Sequence, residues 1–371
     1  MARVVRGIAL LALTLSALWG SIAPAAQAQS ISAKRDAILA YLRDVEAHHQ
    51  SLVGVQVNEY EVYIQCTSFH RVEQQIGAAP AIMGLELMSA IEYPPYRGYL
   101  TDRALAQEAA GGLVTMSWHQ RNPTEVCPRG ENYECSKHPI TPETLHAMLT
   151  PGAREHALWL ADVDAIGDVL QDWKRRGIVV LFRPYHEMNG DWFWWGQKDE
   201  YPQLWDALYE ELAVRRGLDN IIWVWSGDRE TPNAQRYFPH QHRPDVVGVD
   251  VYENDRDSPK YAAGRASVTG VGGSAVFALT EVGIIPSAQT LDAINPAWVL
   301  LWGGEYLNGN WAPSGHCDYC NSAEQVADFF ALPRTLTRNE IPAAIRAQIA
   351  DGIVRGRALR PDHPDCPDHL R

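Results

Sequence analysis

The sequence predicts an α/β chain folded as a (β/α)8 barrel of the TIM type, and three observations predict it. Eight short, nearly uninterrupted apolar runs recur along the chain, as strands buried on both faces of a parallel sheet require. Several of the intervals between them carry amphipathic helical patterns. Polar residues suited to chemistry stand at or just after the ends of five runs, where barrels of this kind gather their functional groups. An open doubly wound sheet is the alternative, because a count of eight strands can be off by one.

Taken in order, the chain opens with a leader pattern over residues 1–28. Arg3 and Arg6 supply positive charge, IALLALTLSALWG is a short apolar stretch, and Ala26 to Ala28 give a small-x-small cleavage pattern. The mature chain is expected to begin near Gln29 and to form one domain over residues 29–371. The apolar stretch is short for a membrane span, which needs about 20 residues. The expected location is therefore secreted or periplasmic, with no stable membrane association after leader cleavage. The eight runs are LVGVQV (Leu52 to Val57), AIMGLEL (Ala81 to Leu87), GLVTMSW (Gly112 to Trp118), IVVLFRP (Ile178 to Pro184), NIIWVWS (Asn220 to Ser226), VVGVDVY (Val246 to Tyr252), AVFALTEV (Ala275 to Val282) and AWVLLW (Ala297 to Trp302). Helices are expected at Arg154 to Arg176, which ends in basic residues followed by a glycine, and at Tyr201 to Arg216. TGVGGS, around Gly270 to Gly273, reads as a loop, too degenerate for a phosphate cradle. The tail RPDHPDCPDHLR reads as a surface segment.

Six cysteines suit an oxidising compartment. Connectivity is not fixed by sequence; the expected pairs are Cys127 with Cys135, Cys317 with Cys320, and Cys66 with Cys366. CDYC at Cys317 lacks the second CxxC or histidine pair of a zinc site, so a disulfide is the better reading. Removing the two leader arginines takes the net charge of −13 to about −15. That acidity argues against nucleic acid as a partner. It places no constraint on a neutral ligand.

Glu187 and Glu281 each follow an apolar run, and their separation of 94 residues matches three barrel units of about 31 residues each. Strands four and seven face each other across a barrel mouth, so two carboxyl groups can flank one bound molecule. Glycosidic bond cleavage uses such a pair: one protonates the leaving oxygen while the other attacks the sugar carbon or activates water. The plain alternative is a structural ion pair for each. The run DWFWWG beside Glu187 shifts the balance, because exposed indoles offer broad, rigid area to the C–H faces of sugars. Trp192, Trp194 and Trp195 are expected to wall a polysaccharide site, with Trp192 the best candidate for contact and one or two others plugging the barrel top. Their apolar surroundings would raise the Glu187 carboxyl. Arg183, within an apolar strand, needs a partner, and Glu281 suits it. Asp250 and Tyr252 share one face of strand six, so the phenol can reach the same carboxylate. His119 and His186 are expected to hydrogen-bond in the pocket. HEMNG is not HExxH, so no metal is expected at His186.

With these residues assembled, the chain resembles glycoside hydrolase family 26, best known for β-mannanases. The resemblance rests on SWH ending at His119, LTPG before the long helix, FRPYHEMNGDWFWWG, VGVDVY and LTEVG, and spans nearly all of the mature chain. It implies a barrel, a retaining mechanism without a cofactor, Glu187 as acid/base and Glu281 as nucleophile. It also implies substrate contacts by His119, His186, Arg183, Trp192, Tyr252 and Trp302. Strand two ends in LEL where the family pattern leads one to expect an aspartate, which leaves the role of Glu86 open. The expected activity is endo-β-1,4-mannan hydrolysis by a monomer acting on a β-linked polysaccharide. Mixed-linkage β-glucan or β-1,3-xylan hydrolysis by the same machinery is one alternative, and a non-catalytic sugar-binding barrel is the alternative in another function class.

Overall fold

In the computed structural model, which describes residues 30–58, 67–229, 232–304 and 320–354, the eight apolar runs are eight parallel strands. The described elements, in order, are α1 (Ile31–Ala47), β1 (Ser51–Gln56), α2 (Ser68–Ile76), β2 (Ile82–Glu86), α3 (Pro94–Ala109), β3 (Leu113–Trp118), α4 (Asn132–Ser136), α5 (Pro142–Met148), α6 (Arg154–Arg175), β4 (Val180–Pro184), α7 (Tyr201–Tyr209), β5 (Ile221–Asp228), α8 (Ala234–Tyr237), β6 (Val246–Val251), α9 (Pro259–Gly272), β7 (Val276–Val282), α10 (Ala288–Ile294), β8 (Trp298–Leu301), α11 (Ala323–Phe330), β9 (Thr335–Leu336) and α12 (Ala343–Ala350). Each strand from β1 to β8 pairs with its successor, and β8 pairs with β1, so the sheet closes. Closure decides for the (β/α)8 barrel over the open sheet.

Period-two alternation divides each strand between two cores. Outward residues such as Val53, Met116, Phe182, Trp223 and Leu279 pack against the helices. Inward residues Leu52, Ile82, Leu113, Val179, Ile222 and Val246 form a second cluster with Ile38 and Leu42 of α1. α1 therefore closes the N-terminal mouth. Arg35 of that helix also bonds the Ile221 carbonyl and the Asp245 carboxylate, both at strand beginnings. Four residues further along the same inward rows stand Gln56, Glu86, Ser117, Arg183, Ser226 and Asp250, all buried and all polar. The interior changes from hydrocarbon at the bottom to a polar layer at the C-terminal end, and that change positions the site.

Gly84 and Gly248 make room within the interior. A β-carbon at Gly84 would meet Gln56 Oε1 at 2.1 Å, and one at Gly248 would meet Thr280 Cγ2 at 2.4 Å.

Two expectations change, and one element is new. The helix expected over Tyr201 to Arg216 is α-helical to Tyr209 and then widens into a π-helical turn, Glu210–Arg215, which keeps Leu212 buried. TGVGGS is not a loop throughout: α9 runs through Gly272 before Gly273, at φ +66°, ends it. A β-carbon on Gly272 would lie 2.8 Å from Val247 Cγ1, so that glycine serves close packing of helix on sheet. The strand β9 was not expected; it pairs with the start of β1.

Cys127 and Cys135 form the expected disulfide. Cys320 is disulfide-bonded as well. Cys66, Cys317 and Cys366, and with them the two other expected pairings, lie outside the described residues, as do the leader and the tail. Among the described residues no helix is long and apolar enough to cross a membrane.

Candidate active site

Arg183 comes from the top of β4 and is 1 % exposed. Burial alone would lower its pKa, but the charges of Asp250 and Glu281 outweigh that and raise it above the ordinary value. Its Nη1 donates to Asp250 Oδ2 at 2.9 Å, and its Nη2 donates to Glu281 Oε1. Thr280 Oγ1 donates to the other Asp250 oxygen at 2.6 Å. Burial, opposed by Arg183 and assisted by Glu281, pushes Asp250 up to about 8. The register shift between β6 and β7 lets neighbouring residues serve the same region: Thr280 bonds Asp250 while Glu281 faces the pocket. The Tyr252 phenol, which burial and then Glu281 and Glu187 hold well above its usual range, donates to Glu281 Oε2 at 2.8 Å. Both Glu281 oxygens are thus oriented by donors.

Glu187 stands on a turn of left-handed backbone, with Tyr185 at φ +49° and Glu187 at φ +54°. Burial raises its carboxyl well above the ordinary value, and Asp250, Glu281 and Asp228 add to the effect; donation from Trp192 Nε1 to Oε2, at 2.7 Å, opposes it. His186 is held well below its usual range by burial, with Arg183 and His119 adding repulsion, so the imidazole is neutral. One carboxyl is biased toward the acid form, and the other is held by donors as an acceptor. A carboxyl biased toward its acid form beside one whose two oxygens are oriented by donors suits acid-plus-nucleophile chemistry.

Glu86 anchors the opposite wall. Its Oε1 accepts from the backbone N–H groups of Leu87, Met88 and His119, and Ser117 Oγ donates to its Oε2 at 2.6 Å. His119 Nδ1 lies 2.7 Å from the same Oε2. Burial would raise Glu86, but His119 and these donors together hold it below the usual carboxylate range. These contacts hold His119, whose ring meets that of His186 edge-on at 4.4 Å.

These groups border one cavity of about 810 Å³. His119, His186, Glu187, Trp192, Tyr252, Glu281 and Trp302 line it, while Arg183 lies behind Glu281. Trp192 is 38 % exposed, in keeping with a wall. Trp194 and Trp195 are not walls: both are fully buried, with their indole N–H groups on the carbonyls of Gln120 and His186. Their apolar area is taken by the core before any ligand can reach it. The sequence reading missed Gln56, Asn58, Tyr133, Phe193, Asp228 and Arg229, which also line the cavity. Gln56 was accessible from the inward periodicity of β1. Tyr133 carried no local signal, because the loop after β3 places it. His186, Asp250 and Glu281 bring metal-ligand atoms within 4.8 Å of one another, but Arg183 already supplies the positive charge among them.

Residues 26–318 match the sequence model of the family described as Glycosyl hydrolase family 26. A mannan endo-1,4-beta-mannosidase of Thermothelomyces thermophilus is 28 % identical over 290 residues, covering 73 % of this chain and 55 % of the relative. One from Bacillus subtilis is 36 % identical over 183 residues, 47 % of this chain and 48 % of the relative. The chain spans about half the length of the curated relatives it matches. Among solved structures, GH26A from a Muricauda species superposes with a TM-score of 0.71 at 25 % identity, covering 83 % of this chain and 97 % of that one. A Podospora anserina β-(1,4)-mannanase gives 0.69 at 27 %, covering 86 % and 68 %.

Proposed function

The chain belongs to glycosyl hydrolase family 26, and from that premise we propose that it is a secreted endo-β-1,4-mannanase working by double displacement. The observation that carries the reading is the contrast between two carboxyl groups bordering one cavity: Glu187 raised by burial and negative neighbours, Glu281 held by Arg183 and Tyr252. Glu281 attacks the anomeric carbon as Glu187 gives its proton to the departing glycosidic oxygen, leaving a glycosyl ester. Water, deprotonated by Glu187, then breaks that ester and releases the sugar. The mannan preference is supported by the names of the curated relatives. Export is supported by the leader pattern over residues 1–28.

Reducing-sugar release from mannan tests the assignment. Glu187→Gln and Glu281→Gln should each lower the rate by about 10²-fold or more; rates like the wild type's in both variants would dispose of it. Azide should restore turnover of an activated glycoside to Glu281→Gly, yielding a glycosyl azide of inverted configuration. A substrate panel completes the test: preference for mixed-linkage β-glucan or β-1,3-xylan would keep the chemistry and replace the sugar. Oligosaccharide binding without turnover would overturn the enzyme reading.

A further inference from the structure

Strand alternation cannot present two consecutive side chains to one cavity, yet His186 and Glu187 both line it. The left-handed conformations at Tyr185 and Glu187 make this possible, at φ +49° and +54°. Neither residue is glycine, and such conformations persist only where the surroundings over-determine them. The surroundings here are specific. The Tyr201 hydroxyl donates to the Tyr185 carbonyl at 3.0 Å, Trp195 Nε1 donates to the His186 carbonyl at 2.8 Å, and the Gly190 N–H donates to the Glu187 carbonyl at 2.9 Å. The Glu187 N–H in turn donates to the Ser226 carbonyl of β5 at 2.9 Å. Three consecutive carbonyls are therefore held. Two of the three donors are side chains that are themselves fully buried and do not line the cavity. Trp195 is further locked by stacking on Phe193, at 4.5 Å between centroids and 17° between planes.

We propose that Trp195 and Tyr201 are positioning residues for the acid: they clamp the backbone of residues 185–187 in its left-handed turn, so that Glu187 is aimed at the glycosidic oxygen. The second half of the aromatic run thus acts on the backbone and not on sugar. The inference rests on the reading of Glu187 as proton donor, and its test separates the two.

Tyr201→Phe and Trp195→Phe each remove one donor and keep an aromatic ring. For each, kcat/KM is measured on mannan and on an aryl β-mannobioside with a dinitrophenolate leaving group, which departs without protonation. On mannan, kcat/KM should fall about tenfold or more, with KM within about twofold, since displacement of a catalytic group by about 1 Å can lower rates by up to about 10²-fold. On the dinitrophenyl substrate it should stay within about threefold, because glycosylation there needs no acid. A purely structural role lowers both substrates equally by reducing the folded fraction, and that result in either variant would overturn the proposal, as would unchanged values on mannan. If Tyr201→Phe does not fold, Trp195→Phe decides by the same comparison. A wild-type protein that cleaves neither substrate would remove the proposed function and the inference with it; an active wild type with unaffected variants would remove the inference alone.

Discussion

At Glu187 two influences oppose each other: burial among Asp250, Glu281 and Asp228 raises the carboxyl, while the Trp192 indole N–H, 2.7 Å from Oε2, favours its charged form. Trp192→Phe keeps a ring in the wall and removes the donor, so Glu187 should rise further. Under the proposed mechanism Glu187 must be protonated, so activity falls as pH rises through its pKa; the alkaline limb of kcat/KM should therefore move to higher pH in this variant. A limb that stays put or moves down would show that the hydrogen bond does not tune the acid. Trp192→Ala removes the wall as well, and KM on mannan oligosaccharides should rise about tenfold, the equivalent of about 1.4 kcal/mol from one aromatic contact. Much of this was legible residue by residue. Arg183 had to find a carboxylate because an apolar strand cannot carry an unpaired guanidinium. Asp250 as its second partner was not, since only the barrel's stagger brings β4 and β6 to one point.

The strands were legible because both faces are buried and apolar continuity marks them, but the loop after β3 was not. Its short helix α4 is fixed by distant groups: the Asn122 N–H donates to the Cys135 carbonyl, the Trp194 N–H to that of Ser136, and Asn132 Nδ2 to Glu92. The Cys127–Cys135 bridge closes the same loop and sets Tyr133, 42 % exposed, on the cavity rim against His119. Replacing both cysteines by serine should lower unfolding free energy by no more than about 3 kcal/mol, because the loop is short. The effect on binding should be larger in kind: KM for mannan rises while kcat stays within about twofold. An unchanged KM, with the stability loss present, would remove Tyr133 from the binding surface.

Across the whole molecule, α1 ties the bottom of the barrel together through a buried ion pair. Lys34 Nζ donates to Glu108 Oε2 of α3 at 2.8 Å and to the Gly177 carbonyl at 2.7 Å, and the Val179 N–H donates to the other Glu108 oxygen. Burial, opposed by Lys34, pushes Glu108 up to about 7 from its ordinary 4.5. A folded value above the unfolded one means that Glu108's contribution is complete below pH 4.5 and is lost as pH rises through 7. Lys34→Met removes the opposing charge and deepens that loss. Urea denaturation should show the variant less stable by about 3–5 kcal/mol at pH 8, with a narrower gap at pH 5, where Glu108 is protonated. A gap independent of pH would mean that packing, not charge, explains the helix's role. By itself the sequence determined the barrel and the placement of Glu187 and Glu281 near the C-terminal ends of strands four and seven, because period, apolar continuity and strand-end placement are local properties of the chain. Tertiary structure alone decided that Trp194 and Trp195 face the core, that Glu86 holds His119, and that Glu187 stands on a clamped left-handed turn. Those outcomes depend on which distant backbone carbonyls and carboxylates come within about 3 Å of each donor, a relation that no window of sequence contains.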